Sequence, residues 1–234
     1  IADLVLDEDA PEQTVDLTGI TAGGGETQPL RVTATNGAVI SSYDLNGDAI
    51  DSSGNGLHGT VHGTAPVVDR HGGMGEATSF NGSSDEIVFD HQFPFNNDAD
   101  RSMSFWMKTP AEGHAAIVWG RENDASHNRF HLYLYGDEAG GTLGFDYFDF
   151  DNIRHTIFDN ASGNSARFRA NEWEFITLTR AENTYSIFVN GELRQTATDN
   201  IRALPNAAGW QLAGRGSHPF DGMLDDFVLY DRAL

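Results

Sequence analysis

Short alternating runs of apolar and polar residues, separated by turns rich in Gly, Asn and Asp, follow one another along the chain from Ala38. Alternation with a period of two is typical of strands that bury one face, and no segment has the spacing of a helix longer than a turn or two. We predict eleven strands: 39–43, 77–80, 86–88, 102–108, 115–119, 129–135, 142–147, 174–180, 184–189, 209–213 and 222–230. Eleven short strands predict an all-β fold, a two-sheet antiparallel β-sandwich.

Two Asn-Gly pairs follow alternating runs, Asn81-Gly82 after TSF and Asn190-Gly191 after YSIFV. A type I′ turn needs positive φ at both central residues, which Asn and Gly tolerate better than other residues do. The sequence therefore predicts a tight hairpin at each pair.

Strand parity divides the runs NRFHLYLYGD and GTLGFDYFDFDN into two faces. The predicted core-facing set is Phe130, Leu132, Leu134, Leu143, Phe145 and Tyr147. The predicted outward set is His131, Tyr133, Tyr135, Asp146 and Phe148. Aromatic planes stack on the C–H faces of sugar rings, and imidazole and phenol groups hydrogen-bond hydroxyls, so the outward set has the chemistry of a carbohydrate site.

Further candidates for polar or aromatic contact with a sugar are Arg121, Arg129, Arg154, His155, Trp119 and Trp210. The alternative for each of these residues, and for the outward set, is a solvated outer face. Trp106 and Trp173 are expected to pack within the sandwich.

The composition of the chain limits the classes of ligand that the protein is expected to bind. The formal net charge is −21, from 35 acidic and 14 basic residues, which argues against nucleic acid and anionic membrane surfaces as ligands. Cysteine is absent, so disulfides and thiol chemistry are excluded, and zinc is not expected. No run approaches 18 apolar residues, so no membrane insertion is predicted. The chain begins with Ile and shows no leader, so it has either lost a signal peptide or been cut from a longer protein, and we expect the second.

Residues 1–37 differ from the remainder because their short alternating patches are broken by Pro11 and by three consecutive glycines from Gly23. Three short strands do not bury a core of their own. The segment resembles one end of an Ig-like or cadherin-like repeat of bacterial surface proteins, and an acidic linker is the alternative. We therefore predict a linker or partial domain at 1–37 and one complete domain at 38–234.

Five segments occur in a fixed order: YDLNGDAIDSSGNGLHGTVHG, ATSFNGSSDEIVF, MSFWMKT, NEWEFITLTRAENTYSIFVNGEL and FDGMLDDFVLYDRAL. This succession resembles the laminin G-like, concanavalin A-like jelly-roll domain of bacterial extracellular proteins, over residues 39–234. In the last segment, Leu224 and Phe227 replace the Ile and Val of the family pattern. The resemblance implies a jelly roll in a secreted or cell-surface protein, a monomeric module of a multidomain chain, with polysaccharide bound on the concave sheet or its rim loops.

The run YDLNGDAIDSSGNGLHG concentrates oxygen ligands for a hard cation. It departs from an EF-hand, because Ala49 stands where the sharp turn needs Gly and Asn55 where a bidentate Glu is needed. The family resemblance implies instead a structural Ca²⁺ shared with the last strand. The implied ligands are Asp51, Asn55 and Asp225, with Asp44, Asn46 and Asp226 as secondary candidates. The alternative is that the aspartates of the last strand bond loop amides.

Three functions are consistent with the sequence. The favoured one is a non-catalytic carbohydrate-binding module, followed by a protein-binding adhesion domain and by an uncharacterised glycoside hydrolase or polysaccharide lyase. Related hydrolases use Glu-x-Asp-x-Glu on one strand, which projects its carboxylates to one face. The nearest approach, Asp146, Asp149 and Asp151, lacks Glu and the right spacing, so no catalytic residue is predicted. A dyad of Asp146 with His131 stays open.

Overall fold

In the computed structural model, every regular element among the described residues is a β-strand. The structure describes residues 39–93, 99–110, 113–121, 130–137, 140–148, 153–159, 165–199, 209–213 and 218–234. These residues belong to one unit that spans 36–234. None of them belongs to a helix long and apolar enough to cross a membrane. The predicted linker or Ig-like segment at 1–37 lies outside the described residues, so it and the domain boundary stay predictions.

The described residues form sixteen strands. Their bounds are β1 Val39–Tyr43, β2 Thr60–His62, β3 Ala65–Val67, β4 Ala77–Asn81, β5 Glu86–Phe89, β6 Arg101–Lys108, β7 Gly113–Arg121, β8 Phe130–Asp137, β9 Gly140–Phe148, β10 Arg154–Phe158, β11 Arg167–Arg169, β12 Glu174–Ala181, β13 Thr184–Val189, β14 Glu192–Thr198, β15 Gly209–Leu212 and β16 Asp221–Tyr230.

The strands form two antiparallel sheets of eight. Sheet A has the order β14-β13-β12-β6-β16-β4-β3, and β1 also pairs with β16. Sheet B has the order β10-β9-β8-β7-β15-β5-β2, and β11 also pairs with β9. This arrangement confirms the predicted all-β sandwich and is consistent with a concanavalin A-like jelly roll.

The core lies between the inner faces of the two sheets, and strand parity identified its members correctly. The six residues predicted to face inward on β8 and β9 are all buried. Aromatic rings form part of this core: Phe89 and Trp210 stack with centroids 3.8 Å apart, and Tyr43 and Phe227 pack against Trp210. Burial of large aromatic surfaces is the main source of stability available to a fold without disulfides.

The sequence located all eleven predicted strands to within two residues at each end, but it missed β2, β3, β10, β11 and β14. Four of these five have three to five residues, too few for alternation to distinguish them from loops. The prediction of a hairpin at Asn190-Gly191 is confirmed, with φ of 54° and 76° between the paired strands β13 and β14.

The hairpin predicted at Asn81-Gly82 is wrong. The pair connects β4 of sheet A to β5 of sheet B, so the chain changes sheets there instead of folding back on itself. Of the two residues in this pair, only Gly82 has positive φ. The Asn81 side chain accepts hydrogen bonds from the backbone N–H of Ser83 (2.9 Å) and Ser84 (3.0 Å), a local turn that does not need paired strands.

Candidate functional site

A pocket of about 290 Å³ opens on the outer face of sheet B, across β7 to β10. We call it the sheet-B pocket. The half-buried or exposed side chains that surround it are His114, Trp119, His131, Phe148, Arg154 and His218. Its floor consists of the buried residues Ala116, Tyr133 and Asp146. Aromatic and imidazole rings thus surround a small polar floor, the usual composition of a small-molecule site.

A bulge in β7 brings two walls of the pocket to one face. His114 and Trp119 are five residues apart, so strict alternation would place them on opposite faces of the sheet. The register of β7 against β8 shifts between Ala116 and Val118, which leaves Ile117 as the additional residue. His114 then pairs with Tyr135, and Trp119 with His131, all on the outer face.

The floor depends on a glycine. Gly144 lies opposite Tyr133 in the register of β8 and β9, and the tyrosine ring covers its Cα. The Tyr133 hydroxyl donates to the carbonyl oxygen of Phe158 on β10, at 3.0 Å. Because the ring is buried, the pKa of Tyr133 is raised far above its usual value, with the charge of Asp146 as a second cause. Tyr133 therefore forms a fixed part of the floor and does not offer a free ring face.

Asp146 organises the polar side of the pocket. Its Oδ2 accepts from Nε (2.9 Å) and Nη2 (2.5 Å) of Arg154. Its Oδ1 lies 2.9 Å from Nδ1 of His131, without the alignment of a hydrogen bond. Burial acts to lower the pKa of Arg154, but the charge and hydrogen bonds of Asp146 outweigh burial and raise that pKa. Arg154 is therefore a fixed cation whose charge Asp146 balances.

Stacked rings form the opposite end of the pocket. His114 stacks on Tyr135 at 4.2 Å between centroids and lies 4.3 Å from the ring of His218. Burial, followed by repulsion from His218, lowers the pKa of His114. Trp119 and His131 lie at the end of the pocket away from His114, with their ring centroids 4.1 Å apart.

Most of the outward residues predicted from parity do meet at this pocket. Four members of the predicted outward set line it: His131, Tyr133, Asp146 and Phe148. Trp119 and Arg154, which were predicted as further sugar contacts, line it too, and Tyr135 supports His114 at its edge. Asp146 and His131, the two residues of the dyad that the sequence left open, approach each other to 2.9 Å between Oδ1 and Nδ1. His114, Ala116 and His218 were missed. Only a β-bulge explains why His114 shares a face with Trp119, and the run GHAAIVWGR carries no signal of it.

Two predicted sugar contacts are corrected by the structure. Trp210 is 2% exposed and belongs to the core, because β15 is a central strand whose even-numbered residues face inward. His155 is on the opposite face of β10 from Arg154 and stacks on the buried Tyr147, with centroids 4.9 Å apart. The side chain of Arg121 and the whole of Arg129 lie outside the described residues.

The predicted cation loop is held by its own hydrogen bonds. Asp51 accepts from the backbone N–H of Ser42, Ser53 and Leu57 at 2.9 to 3.0 Å. Burial acts to raise the pKa of Asp51, but these bonds and the Ser53 hydroxyl outweigh burial and lower it. Asn55 donates to the carbonyls of β1 at Val39 and Ile40. Both residues therefore fasten the loop to the first strand.

The two secondary candidates in that loop also have protein partners. Asp44 accepts a hydrogen bond from the Ser52 hydroxyl at 3.1 Å. The Asn46 amide, in the orientation that satisfies its neighbours, donates to the carbonyls of Glu76 (3.0 Å) and Asp44 (3.1 Å).

Asp225 and Asp226 share an arginine. Nη1 of Arg70 lies 2.7 Å from Asp225 and Nη2 lies 2.7 Å from Asp226, while its guanidinium group lies 4.8 Å from the Trp106 ring centroid. A bulge at Asp226, with φ of 46°, turns both carboxylates toward this one cation, at the position where β16 changes its neighbour from β4 to β1. Burial, and next the charge of Asp226, raises the pKa of Asp225 to about 7.

The side chains predicted to bind calcium already have protein partners. Calcium takes six to eight oxygen ligands. The oxygens of Asp51 accept hydrogen bonds from backbone N–H groups, and the carboxylates of Asp225 and Asp226 form ion pairs with Arg70. Each of the three side chains therefore already has a protein partner. Among the described residues, no three His, Asp or Glu side chains are grouped to hold a metal ion. The protein contacts therefore compete with an ion, and calcium stays a prediction.

Comparison with known proteins agrees with the fold. The sequence matches the family model of the concanavalin A-like lectin/glucanases superfamily over residues 80–234. A search of curated proteins finds no match.

Solved structures resemble the chain at low sequence identity. Domain 4 of AbnA, a GH43 extracellular arabinanase from Geobacillus stearothermophilus solved in complex with arabinotriose, is 20% identical with a TM-score of 0.59, over 84% of this chain and 93% of that domain. The botulinum neurotoxin type G receptor binding domain is 19% identical with a TM-score of 0.60, over 84% of this chain and 48% of its own. The botulinum neurotoxin serotype D binding domain is 16% identical with a TM-score of 0.60, over 86% of this chain and 50% of its own. The chain thus spans about half of each toxin domain, and at these identities the likeness shows the fold alone.

Proposed function

The chain belongs to the concanavalin A-like lectin/glucanase superfamily, and on that basis we propose that it is a non-catalytic carbohydrate-binding module that takes its ligand in the sheet-B pocket. The observation that carries the proposal is the composition of that pocket. Aromatic rings lie beside fixed hydrogen-bonding groups on the outer face of sheet B, which faces away from the core.

The walls and the cation have separate roles in this proposal. Trp119 and Phe148 offer apolar ring surface to the C–H face of a sugar. Two guanidinium nitrogens of Arg154 bind Asp146, so among the described contacts Nη1 is left to donate to a hydroxyl. Because Asp146 and the strands hold these groups in place, binding requires little ordering of side chains.

The carboxylate count supports a module without catalysis. Glycoside hydrolysis by either stereochemical course uses two carboxylates that flank the bond to be broken. In the described lining of the pocket Asp146 is the single carboxylate, and it is 1% exposed and paired with Arg154. General acid or base catalysis requires a carboxyl group within hydrogen-bond reach of the reacting atoms, and burial removes Asp146 from that reach.

The setting of the module follows from the motifs. We place it in a secreted or surface-anchored bacterial protein, as a single unit of a multidomain chain that binds polysaccharide or oligosaccharide. A structural calcium at Asp51, Asn55 and Asp225 remains part of the proposal, in competition with the protein contacts described above.

A glycan array and a reducing-end assay on the same preparation test the function. Binding without product, lost in Trp119→Ala, is the expected result. Product formation would replace the proposal with a hydrolase or lyase, with Asp146 and His131 as the first residues to vary. Silence in both assays would reject carbohydrate binding in favour of the protein-binding alternative.

A further inference from the structure

Among the described residues, the outer face of sheet B carries Phe, Tyr and Trp rings on one half only. On β7, β8 and β9 the outward residues include Trp119, Tyr135 and Phe148. The register continues the same face across β15, β5 and β2. The outward residues there are Gln211, Val88, Glu86, Thr60 and His62.

None of those five outward residues supplies a phenyl, phenol or indole ring. A polysaccharide that ran along the whole face would gain stacking energy only where an aromatic ring lies beneath the sugar unit. In the described part of sheet B, such rings end at the pocket. Contact with further sugar units beyond it would therefore gain no stacking energy in that part of the sheet.

The pocket itself is small. Its volume of about 290 Å³ is at the lower end of the range for small-molecule sites. His114, stacked on Tyr135, stands at one end of it and Trp119 stands at the other. Ala116 lies between these walls on β7, and its methyl group leaves the depth that a larger side chain would fill.

The pocket is also electrically balanced. Arg154 contributes one positive charge and Asp146 cancels it at 2.5 to 2.9 Å. Burial, and next the adjacent His218, lowers the pKa of His114. The chain as a whole carries a formal charge of −21, which repels anions. A ligand rich in carboxylate or sulfate groups would find no arginine or lysine among the described lining residues other than Arg154, which Asp146 already pairs.

We infer that the sheet-B pocket takes one or two rings of an uncharged sugar at a chain end or branch, and not a long internal stretch of polysaccharide. This inference rests on the carbohydrate-binding function proposed above. It adds the size and charge of the ligand, which the family membership does not supply.

Titration calorimetry with oligosaccharides of increasing length tests the inference on the unmodified protein. The probes are neutral arabino-, xylo- and gluco-oligosaccharides of one to six units, and oligogalacturonates of the same lengths. We expect the affinity for the neutral sugar that binds best to stop rising at two units, with the galacturonates about tenfold weaker or worse.

A further tenfold gain between two and six units, or tighter binding of galacturonates, would overturn this inference and leave the proposed function intact. If no probe binds and the glycan array is also silent, the proposed function fails and the inference fails with it.

A pair of variants tests the location. Ala116→Leu fills the depression without removing any polar group, whereas Val88→Leu adds bulk to the same face outside the pocket. We expect Ala116→Leu to weaken binding of the short neutral sugar by about tenfold or more and Val88→Leu to leave it unchanged. Unchanged affinity in Ala116→Leu, with both melting temperatures as in the parent, would overturn the assignment to this pocket.

Discussion

The ring of Tyr133 on β8 lies directly over the Cα of Gly144 on β9. A Cβ at position 144 would lie 2.1 Å from Cε2 of the tyrosine and 2.7 Å from its hydroxyl oxygen. The hydroxyl is held by the carbonyl of Phe158, so the ring cannot move away without losing that hydrogen bond. One glycine thereby allows a tyrosine to lie flat and form the floor of the sheet-B pocket.

Gly144→Ala is expected to lower the free energy of unfolding by about 1–3 kcal/mol, the usual cost of overpacking a closely packed site. Urea denaturation measures it. A double-mutant cycle with Tyr133→Ala isolates the cause, because the cost should vanish once the ring is gone. An equal cost in both backgrounds would show that the clash is not the reason.

Trp119→Ala and Phe148→Ala should each weaken sugar binding by about tenfold, or 1.4 kcal/mol, because each removes a stacking surface at the edge of the pocket. Titration calorimetry with the sugar that binds best measures the loss. Phe188→Ala is the matched control, a half-buried phenylalanine on β13 of the other sheet. A similar loss in Phe188→Ala would mean that the effect is not local.

Arg70→Gln is expected to cost about 3 kcal/mol of stability at pH 8, because it leaves the buried carboxylate of Asp225 without its cation. Denaturant unfolding measures this. Arg194→Gln breaks the surface pair with Glu192 and should cost less than about 1 kcal/mol. Equal effects in the two variants would show that the Arg70 pair contributes no more than a surface contact.

Removal of divalent ions tests the calcium prediction directly. If the ion binds at Asp51, Asn55 and Asp225, the melting temperature should fall in chelator and recover when calcium is added, because a ligand that binds only the folded state stabilises it. The same melting temperature in EDTA and in millimolar calcium would reject the ion. The fastening role would then belong to Arg70 and to the hydrogen bonds of Asp51.

His114 should make the protein less stable in acid. Its pKa is lowered in the folded state, so the unfolded chain takes up the proton at a higher pH than the folded protein does. The stability contribution is therefore complete above about pH 6.5 and is lost as the pH falls through the lower, folded value. We expect His114→Gln to lose less stability than the parent between pH 7.5 and 5. Parallel profiles for the two proteins would contradict this.

The local pattern of the sequence was sufficient for the sandwich and for half of the pocket. Side chains alternate strictly along a regular strand, so the parity of β8 and β9 correctly placed His131, Tyr133, Asp146 and Phe148 on one face. The same rule identified the buried residues of both strands. Both results depend only on neighbours in the chain.

The rest of the pocket depends on which strands become neighbours in the folded protein and where their register shifts. Sheet order brought Arg154 of β10 to Asp146, and the bulge in β7 turned His114 and Trp119 to one face. The central place of β15 buried Trp210, which the sequence had placed among the candidate sugar contacts. Arg70 reached Asp225 across 155 positions of sequence, a pairing that no local pattern encodes. Sequence alone therefore established which residues could face outward, and the packing of the two sheets established which of them meet.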